Sequence, residues 1–350
     1  MFARLAGNQR VKESLRRMLA SGRVPGALLF VGEEGVGKKL FALELAKSLN
    51  CRTPVEGVEG CDVCASCVRI SRSTFAAHAS EDENKRQLIR SEHPDVLLAR
   101  PYNRLIRVDV MRELEQEANF RPYEGGRRVF LIEDADRLNE QSSNALLKTL
   151  EEPPATSHLI LITSRPASLL PTIRSRCQAI RFAPLSAAEI EKYLRDRDKK
   201  LKADDAHLIA HAARGSIGRA LSTDLAAYLE QRKAMLEVLD ALALTRDRAR
   251  LLRASEEMTD AKRKEEYEAR LGVLEILVHD VWSLSLGAVD EKLANDDLRA
   301  ELAGVGKRLE SRRAARWLTQ IEEHRRLLEV NINRKVATDA LFLAMAEEQG

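Results

Sequence analysis

Short apolar runs alternate with helical patterns in the first half of the chain. The runs lie at 27–32, 95–100, 127–134, 158–163 and 178–183. They have the length and apolar character of buried strands. A parallel sheet needs helices on both faces, so five such strands with helices between them predict an α/β fold with a parallel five-stranded sheet.

The pattern changes after Pro184. All ten prolines lie at or before it, and the 166 residues from 185 to 350 contain none, which predicts an almost entirely helical second half. Ser186 and Glu189 have the spacing of a capping box, so a helical domain is expected to begin there. An apolar stripe recurs at helical spacing in Tyr267, Leu271, Leu274, Val278 and Val281. Such a stripe is either a bundle core or a seam that faces a partner.

Composition excludes some classes of protein. The chain has 350 residues, 44% apolar and 32% charged, and no run reaches the roughly 18 to 20 apolar residues that span a membrane. The first residues contain no apolar stretch of signal-peptide length, so a cytoplasmic protein without membrane contact is expected. A net charge of +3 and 4% aromatic residues argue against a polycationic coat or a base-stacking groove. Any contact with DNA should therefore be local or shared.

A phosphate loop is predicted between the first strand and the following helix. The sequence fits G-x-x-x-x-G-K in the strand-to-helix context that this motif needs. Glycines permit the tight turn, and successive amides with the helix N-terminus favour a phosphate. The candidate nucleotide-binding residues of the loop are Gly32, Gly35, Val36, Gly37, Lys38 and Lys39.

Two departures indicate that this pocket is catalytically weak or silent. Lys39 stands where a Ser or Thr hydroxyl would hold magnesium, and a charged lysine cannot ligate the metal. Glu133 and Asp134 follow an apolar strand in the reverse of the usual order. That exchange moves each carboxylate by about 1.5 Å, a misplacement that can cost on the order of 100-fold in rate. ATP or ADP remains a candidate ligand, while the departures disfavour magnesium and intrinsic ATPase activity.

Four of the five cysteines lie between positions 51 and 67. In a cytoplasmic protein this clustering indicates a metal site rather than disulfides. Cys51, Cys61, Cys64 and Cys67 follow the spacing C-x9-C-x2-C-x2-C. His78 and His93 are alternative ligands, although His93 precedes a strand and a turn role suits it better.

The chain resembles the AAA+ clamp-loader subunits of bacterial DNA polymerase III. The resemblance rests on NALLKTLEEPP at 144–154, the triplet Ser175-Arg176-Cys177 and the cysteine spacing. It is strong over 1–184 and weaker beyond, where Asn331 and Asn333 resemble the last collar helix. It implies an AAA+ α/β domain over 1–183 with a structural zinc module at 51–67, a helical lid over 184–226 and a helical collar over 227–350.

The same resemblance implies roles for single residues. Arg176 corresponds to an arginine finger that reaches the ATP site of a neighbouring subunit, whereas without the family it would be a solvated or salt-bridged surface group. Thr163 matches sensor 1, and local capping of the strand end is the alternative. Gly218 occupies the usual position of the sensor 2 arginine, and Arg219 falls one residue later, which on a helix rotates the side chain by about 100°.

Within this family, the chain most resembles a non-hydrolysing stator with a degenerate phosphate loop. The implied partners are the gamma/tau and delta clamp-loader subunits, the sliding clamp, and primed DNA through the complex. Polymerase activity would then belong to the whole DNA-directed DNA polymerase holoenzyme. Two alternatives remain: an ATP-hydrolysing motor subunit of the same assembly, and an independent AAA+ helicase loader or repair factor that binds DNA directly.

Overall fold

The computed structural model describes residues 1–73, 88–102, 105–124, 126–245, 247–260, 266–287, 293–328 and 332–347. His78 and Asn331, which the sequence singled out, lie outside these ranges. The chain forms two compact units. The N-terminal unit comprises Met1–Tyr193 with Arg214–Leu221, and the C-terminal unit comprises Leu194–Ala213 with Ser222–Gly350. The three-part division into α/β domain, lid and collar stays a prediction.

The N-terminal unit is built on a six-stranded sheet with the order β2-β3-β4-β5-β1-β6. The strands are β1 (Ala27–Val31), β2 (Ile89–Arg90), β3 (Val96–Ala99), β4 (Arg128–Ile132), β5 (Ser157–Thr163) and β6 (Gln178–Arg181). All five predicted strands are confirmed, and they pair in parallel. The predicted number of strands was one too low. The added strand β2 pairs antiparallel with β3, and its two residues are too short to carry a periodic pattern.

The helices follow in chain order. They are α1 (Gln9–Ala20), α2 (Lys38–Asn50), α3 (Ala65–Arg72), α4 (Val108–Ala118), α5 (Glu140–Glu151), α6 (Pro171–Arg176), α7 (Ala187–Arg197), α8 (Ala203–Ala212), α9 (Ile217–Ser222), α10 (Leu225–Asp240), α11 (Arg248–Thr259), α12 (Tyr267–Ser285), α13 (Arg299–Gly306), α14 (Ser311–Leu328) and α15 (Arg334–Ala346). None of the helices in the described ranges has the length and apolar character needed to cross a bilayer.

Alternate residues of the strands fill two cores, one on each face of the sheet. Leu28 of β1 packs in one core with Phe41 of α2, while Leu29 packs in the other with Leu114 of α4 and Leu146 of α5. Burial on both faces explains why β1, β3, β4 and β5 are continuous apolar runs. The carboxyl ends of β4, β5 and β1 therefore form a fixed edge on which polar loops can be placed.

The capping box at the start of α7 is confirmed. The amide of Ser186 donates to Glu189 Oε2 at 2.9 Å, and the amide of Glu189 donates to Ser186 Oγ at 3.2 Å. These reciprocal bonds satisfy two amides that the helix itself leaves without partners.

The C-terminal unit is a helical assembly with its own core. The stripe on α12 is buried in this core together with Trp317 of α14 and Phe342 of α15, so it serves as a bundle core. A polar group lies within it: the Tyr267 hydroxyl is 2.6 Å from His324 Nε2 and 2.7 Å from Thr338 Oγ1. Because the Thr338 hydroxyl donates to the carbonyl of Arg334, hydrogen counting makes Tyr267 the donor to Thr338 and His324 the donor to Tyr267.

Candidate functional site

The phosphate loop joins β1 to α2 at the carboxyl edge of the sheet. Gly35 and Gly37 have φ values of +75° and +100°, in the left-handed region that favours glycine. The amide of Gly32 donates to the carbonyl of Thr163 at 3.3 Å, which ties the loop to the end of β5. Val36 is buried in the core below the loop. The backbone thus keeps the shape that the motif predicts.

The Lys38 side chain folds back into this loop. Its ammonium donates to the carbonyl of Gly32 at 2.5 Å and to that of Glu33 at 2.6 Å. Burial lowers the pKa of Lys38, while nearby carboxylates, led by Asp134 and Glu34, act in the opposite direction. Two of the three ammonium protons are therefore already used by the loop's own carbonyls.

Lys39 pairs with the acidic end of β4. Its ammonium donates to Glu133 Oε2 at 3.0 Å, and both side chains are about two-thirds buried or more. This places a cation on the carboxylate next to the loop, at the position in the motif where a hydroxyl would hold magnesium. The two residues that depart from the motif, Lys39 and Glu133, thus contact each other.

The pocket is rich in carboxylates. Partial desolvation raises the pKa of Asp134, and the neighbouring carboxylates Glu133, Asp136 and Glu34 raise it further. Like charges this close disfavour one another's ionised form. Sequence reasoning gave no weight to the two glutamates at 33 and 34, although they are visible inside the loop motif.

Thr163 is engaged at the end of β5. Its hydroxyl donates to Asp136 Oδ1 at 2.6 Å and accepts the amide of Arg165 at 2.9 Å. The guanidinium of Arg165 pairs with Asp136 Oδ2 at 2.9 Å. The single hydroxyl proton is therefore committed to Asp136. Sequence reasoning missed Asp136 and Arg165, for which the short distance in sequence to Asp134 and Thr163 was the only signal.

Residues 214–221 close over the phosphate loop. The amide of Gly218 donates to the carbonyl of Gly35 at 2.9 Å. A Cβ atom on Gly218 would lie 3.1 Å from Gly35 Cα, and one on Gly35 would overlap Ser216 Oγ. We call this backbone approach the Gly35–Gly218 contact. Arg219 is exposed, and its amide donates to Ser216 Oγ at 3.2 Å.

Arg176 lies at the other end of the sheet. It ends α6 and precedes β6, whose first residue Gln178 pairs with Leu28. Leu28 is four residues before Gly32 along β1, a distance of about 13 Å at about 3.3 Å per residue. The structure therefore brings Lys38, Lys39 and Gly218 together at one edge and holds Arg176 near the opposite edge.

The four cysteines lie together after α2 and at the start of α3. Their sulfur atoms all fall within 4.8 Å of one another, and Cys51 Sγ is 3.9 Å from Cys64 Sγ. A tetrahedral zinc–thiolate site has sulfur atoms about 3.8 Å apart. The amides of Cys61 and Cys64 donate to Cys51 Sγ and Cys61 Sγ at 3.3 Å and 3.2 Å, so the backbone orients the sulfurs. The group could hold a metal ion.

The alternative ligand His93 is not part of this sulfur group. Burial lowers its pKa, and its Nε2 lies 3.3 Å from Ser66 Oγ and 3.5 Å from Glu124 Oε2. Glu124 also pairs with Arg52 at 3.3 Å and accepts a bond from Arg69 at 2.5 Å. These contacts join the cysteine segment to the rest of the N-terminal unit.

Comparison with known proteins gives a consistent family. The model of the family described as "DNA polymerase III, delta subunit" matches residues 7–186, and that described as "DNA polymerase III, delta subunit, C terminal" matches residues 226–345. The DNA polymerase III subunit delta' of Bacillus subtilis (strain 168) is 28% identical over 338 residues, which are 97% of this chain and 96% of the relative.

A second relative and two solved structures extend this comparison. The DNA polymerase III subunit tau of Escherichia coli (strain K12) is 32% identical over 74% of this chain and 38% of its own length. The RuvB Holliday junction branch migration motor of Thermotoga maritima has 15% identity and a TM-score of 0.42 over 85% of this chain and 82% of its own. The DNA clamp loader delta protein of Bacillus subtilis has 11% identity and a TM-score of 0.31 over 95% and 99%.

Proposed function

Since the chain belongs to the DNA polymerase III delta-subunit family, we propose that it is the delta-prime-like stator of the sliding-clamp loader. In this role it contributes Arg176 to the ATPase site of a neighbouring subunit and hydrolyses no ATP itself. The gamma/tau and delta subunits are its partners in the ring. The sliding clamp and primed DNA are reached through the complex, which belongs to the DNA polymerase III holoenzyme.

The observation that carries this proposal is the position of Arg176. It lies near the amino edge of the sheet, whereas the chain's own phosphate loop lies at the carboxyl edge. Its side chain is one-third exposed, so a neighbouring subunit can reach it. A guanidinium supplied in trans neutralises charge on the transferring phosphoryl group and can contribute about 10³- to 10⁵-fold in rate.

The chain's own pocket supports a non-hydrolysing role. Lys39 forms an ion pair with Glu133, and the Lys38 ammonium donates to carbonyls of its own loop. The Gly35–Gly218 contact lies on the other side of the loop. These contacts disfavour the alternative of a motor subunit. A net charge of +3 with few aromatic residues gives no support to an independent DNA-binding loader.

The cysteine group supports a structural zinc site. Four thiolates fill a tetrahedral zinc and leave no position for a reacting water. The thiolates of Cys51, Cys61, Cys64 and Cys67 would hold the metal, which when bound would cross-link the segment 51–67. In this proposal the collar helices, 227–350, supply the main assembly interface and residues 184–226 form the lid.

The decisive experiment compares two arginines of the same helix. In a loader reconstituted with Arg176→Ala, the ATPase activity stimulated by clamp and primed DNA should decrease by at least about 10-fold, because one catalytic site lacks its arginine finger. Arg174→Ala is the matched control, since Arg174 is also exposed and points about 200° away around α6. Unchanged turnover in an intact Arg176→Ala complex would refute the finger role.

A further inference from the structure

Glu151 holds the guanidinium of Arg176. Its Oε1 accepts a bond from NH2 of Arg176 at 2.6 Å, and NH1 of Arg176 donates to the carbonyl of Thr172 at 3.0 Å. A guanidinium carries five N–H groups in a rigid plane. Bonds at two of its nitrogens therefore fix both the position and the orientation of that plane.

We propose that Glu151 is a positioning residue for the arginine finger. This inference rests on the proposed function and adds to it the group that sets the direction of Arg176. After these two bonds, three of the five N–H groups remain for a phosphoryl oxygen of the neighbouring site. Glu151 thus acts through Arg176 and has no contact with nucleotide of its own.

Glu151 and Arg176 lie at the ends of two helices that pack against each other. Glu151 is the last residue of α5, after the buried Leu150, and the chain then turns at Pro153. The ring of Pro153 leaves no room for a Cβ on Gly26, so the turn is packed against the residue before β1. Arg176 is the last residue of α6, which packs on α5. Both partners are therefore carried on helix ends of one packed pair.

Stability alone does not explain this pair. Glu151 is half exposed and Arg176 one-third exposed, and exposed ion pairs contribute little to the free energy of unfolding. A long arginine side chain, however, loses much rotamer freedom when it must be held for catalysis. An arginine already held by Glu151 has lost most of that freedom before the neighbouring site closes. The contribution of Glu151 is therefore expected in the turnover rate of that site.

The test uses the reconstituted loader with substitutions at two adjacent glutamates. Glu151→Gln and Glu151→Ala should lower kcat for clamp- and DNA-stimulated ATP hydrolysis by about 3- to 10-fold, with KM for ATP unchanged. Glu151→Asp should recover part of the loss, because it keeps the charge with a shorter reach. Glu152→Gln is the matched control, since Glu152 is exposed beside it and, in the part of the chain described, its side chain forms no ion pair.

A double substitution separates positioning from other effects. In the Arg176→Ala background, Glu151→Gln should change kcat no further, because the group that it positions is gone. If Arg176→Ala lowers kcat while Glu151→Ala leaves it unchanged or raises it, the positioning role is overturned and the finger role stands. If Arg176→Ala itself has no effect in an intact complex, the finger and its positioning residue fail together.

Discussion

Gly35→Ala tests how closely the segment 214–221 packs on the phosphate loop. Gly35 has a φ of +75°, and a Cβ there would overlap Ser216 Oγ. Ser216 is fully buried, so its hydroxyl cannot swing into solvent to make room. Gly22 provides a control with the same backbone problem and no neighbour, because its φ is +64° and nothing lies within 4 Å of an added Cβ.

The two substitutions should differ by the energy of the overlap. A left-handed conformation costs an alanine about 1 to 2 kcal/mol, which is the whole expected effect of Gly22→Ala. Overpacking adds about 1 to 3 kcal/mol, so Gly35→Ala should destabilise the N-terminal unit by about 2 to 5 kcal/mol. Ser216→Ala removes the obstructing oxygen, and the next nearest atoms are then 3.5 Å away. The double variant should therefore lose the overpacking cost.

Hydrogen exchange on the full chain measures these differences. Both tryptophans lie in the C-terminal unit, at positions 282 and 317, so their fluorescence does not follow the unit that is changed. The amides of β1 do. Exchange there should accelerate by about 30-fold or more in Gly35→Ala and by about 5- to 30-fold in Gly22→Ala. Equal acceleration in the two variants, or no recovery when Ser216→Ala is added, would refute the close packing of Ser216 on Gly35.

Three further outcomes are expected. Metal analysis should find about one zinc per chain, and Cys64→Ser should lose it, because three thiolates no longer close the tetrahedron. Tyr267→Phe should destabilise the C-terminal unit by about 1 to 3 kcal/mol, since His324 and Thr338 each lose a buried partner; tryptophan fluorescence in urea measures this loss. Burial lowers the pKa of His324 from 6.5, so as the pH falls the imidazole takes up a proton in the unfolded chain before it does so in the folded chain. The free energy of unfolding of the C-terminal unit should therefore decrease as the pH drops below about 6.5. His324→Gln should flatten that pH dependence.

The sequence predicts the fold well where a pattern is long. Four apolar runs located β1, β3, β4 and β5, which are buried on both faces of the sheet, and the run at 178–183 located the edge strand β6, of which only Ile180 is buried. The stripe from Tyr267 to Val281 located the long helix α12. Strand β2 escaped because Ile89 and Arg90 cannot show a period. Element type thus follows from local composition, whereas the edge of a sheet depends on a pairing partner.

The candidate site is predictable in its parts and not in its contacts. Lys39 and Glu133 were each identified as departures from a hydrolysing motif, but they are 94 positions apart, and only the order of the strands places them together. The contact between Gly35 and Gly218 likewise spans most of the N-terminal unit. Glu151 lies in the segment 144–154 that carries the family resemblance, but the segment does not indicate Arg176 as its partner, because that contact depends on the packing of α5 on α6.

The Gly35–Gly218 contact makes a nucleotide-responsive loop difficult to build into this chain by single substitutions. An arginine at position 218 would bring its Cβ to 3.1 Å from Gly35 Cα, so the backbone of the loop would have to shift by a few tenths of an ångström to accept it. A threonine at position 39 would free Glu133 but leave the carboxylates of the loop in place. Either substitution alone therefore leaves part of this obstacle in place. An engineer who wants a nucleotide-responsive subunit must change both sides of this contact in one step.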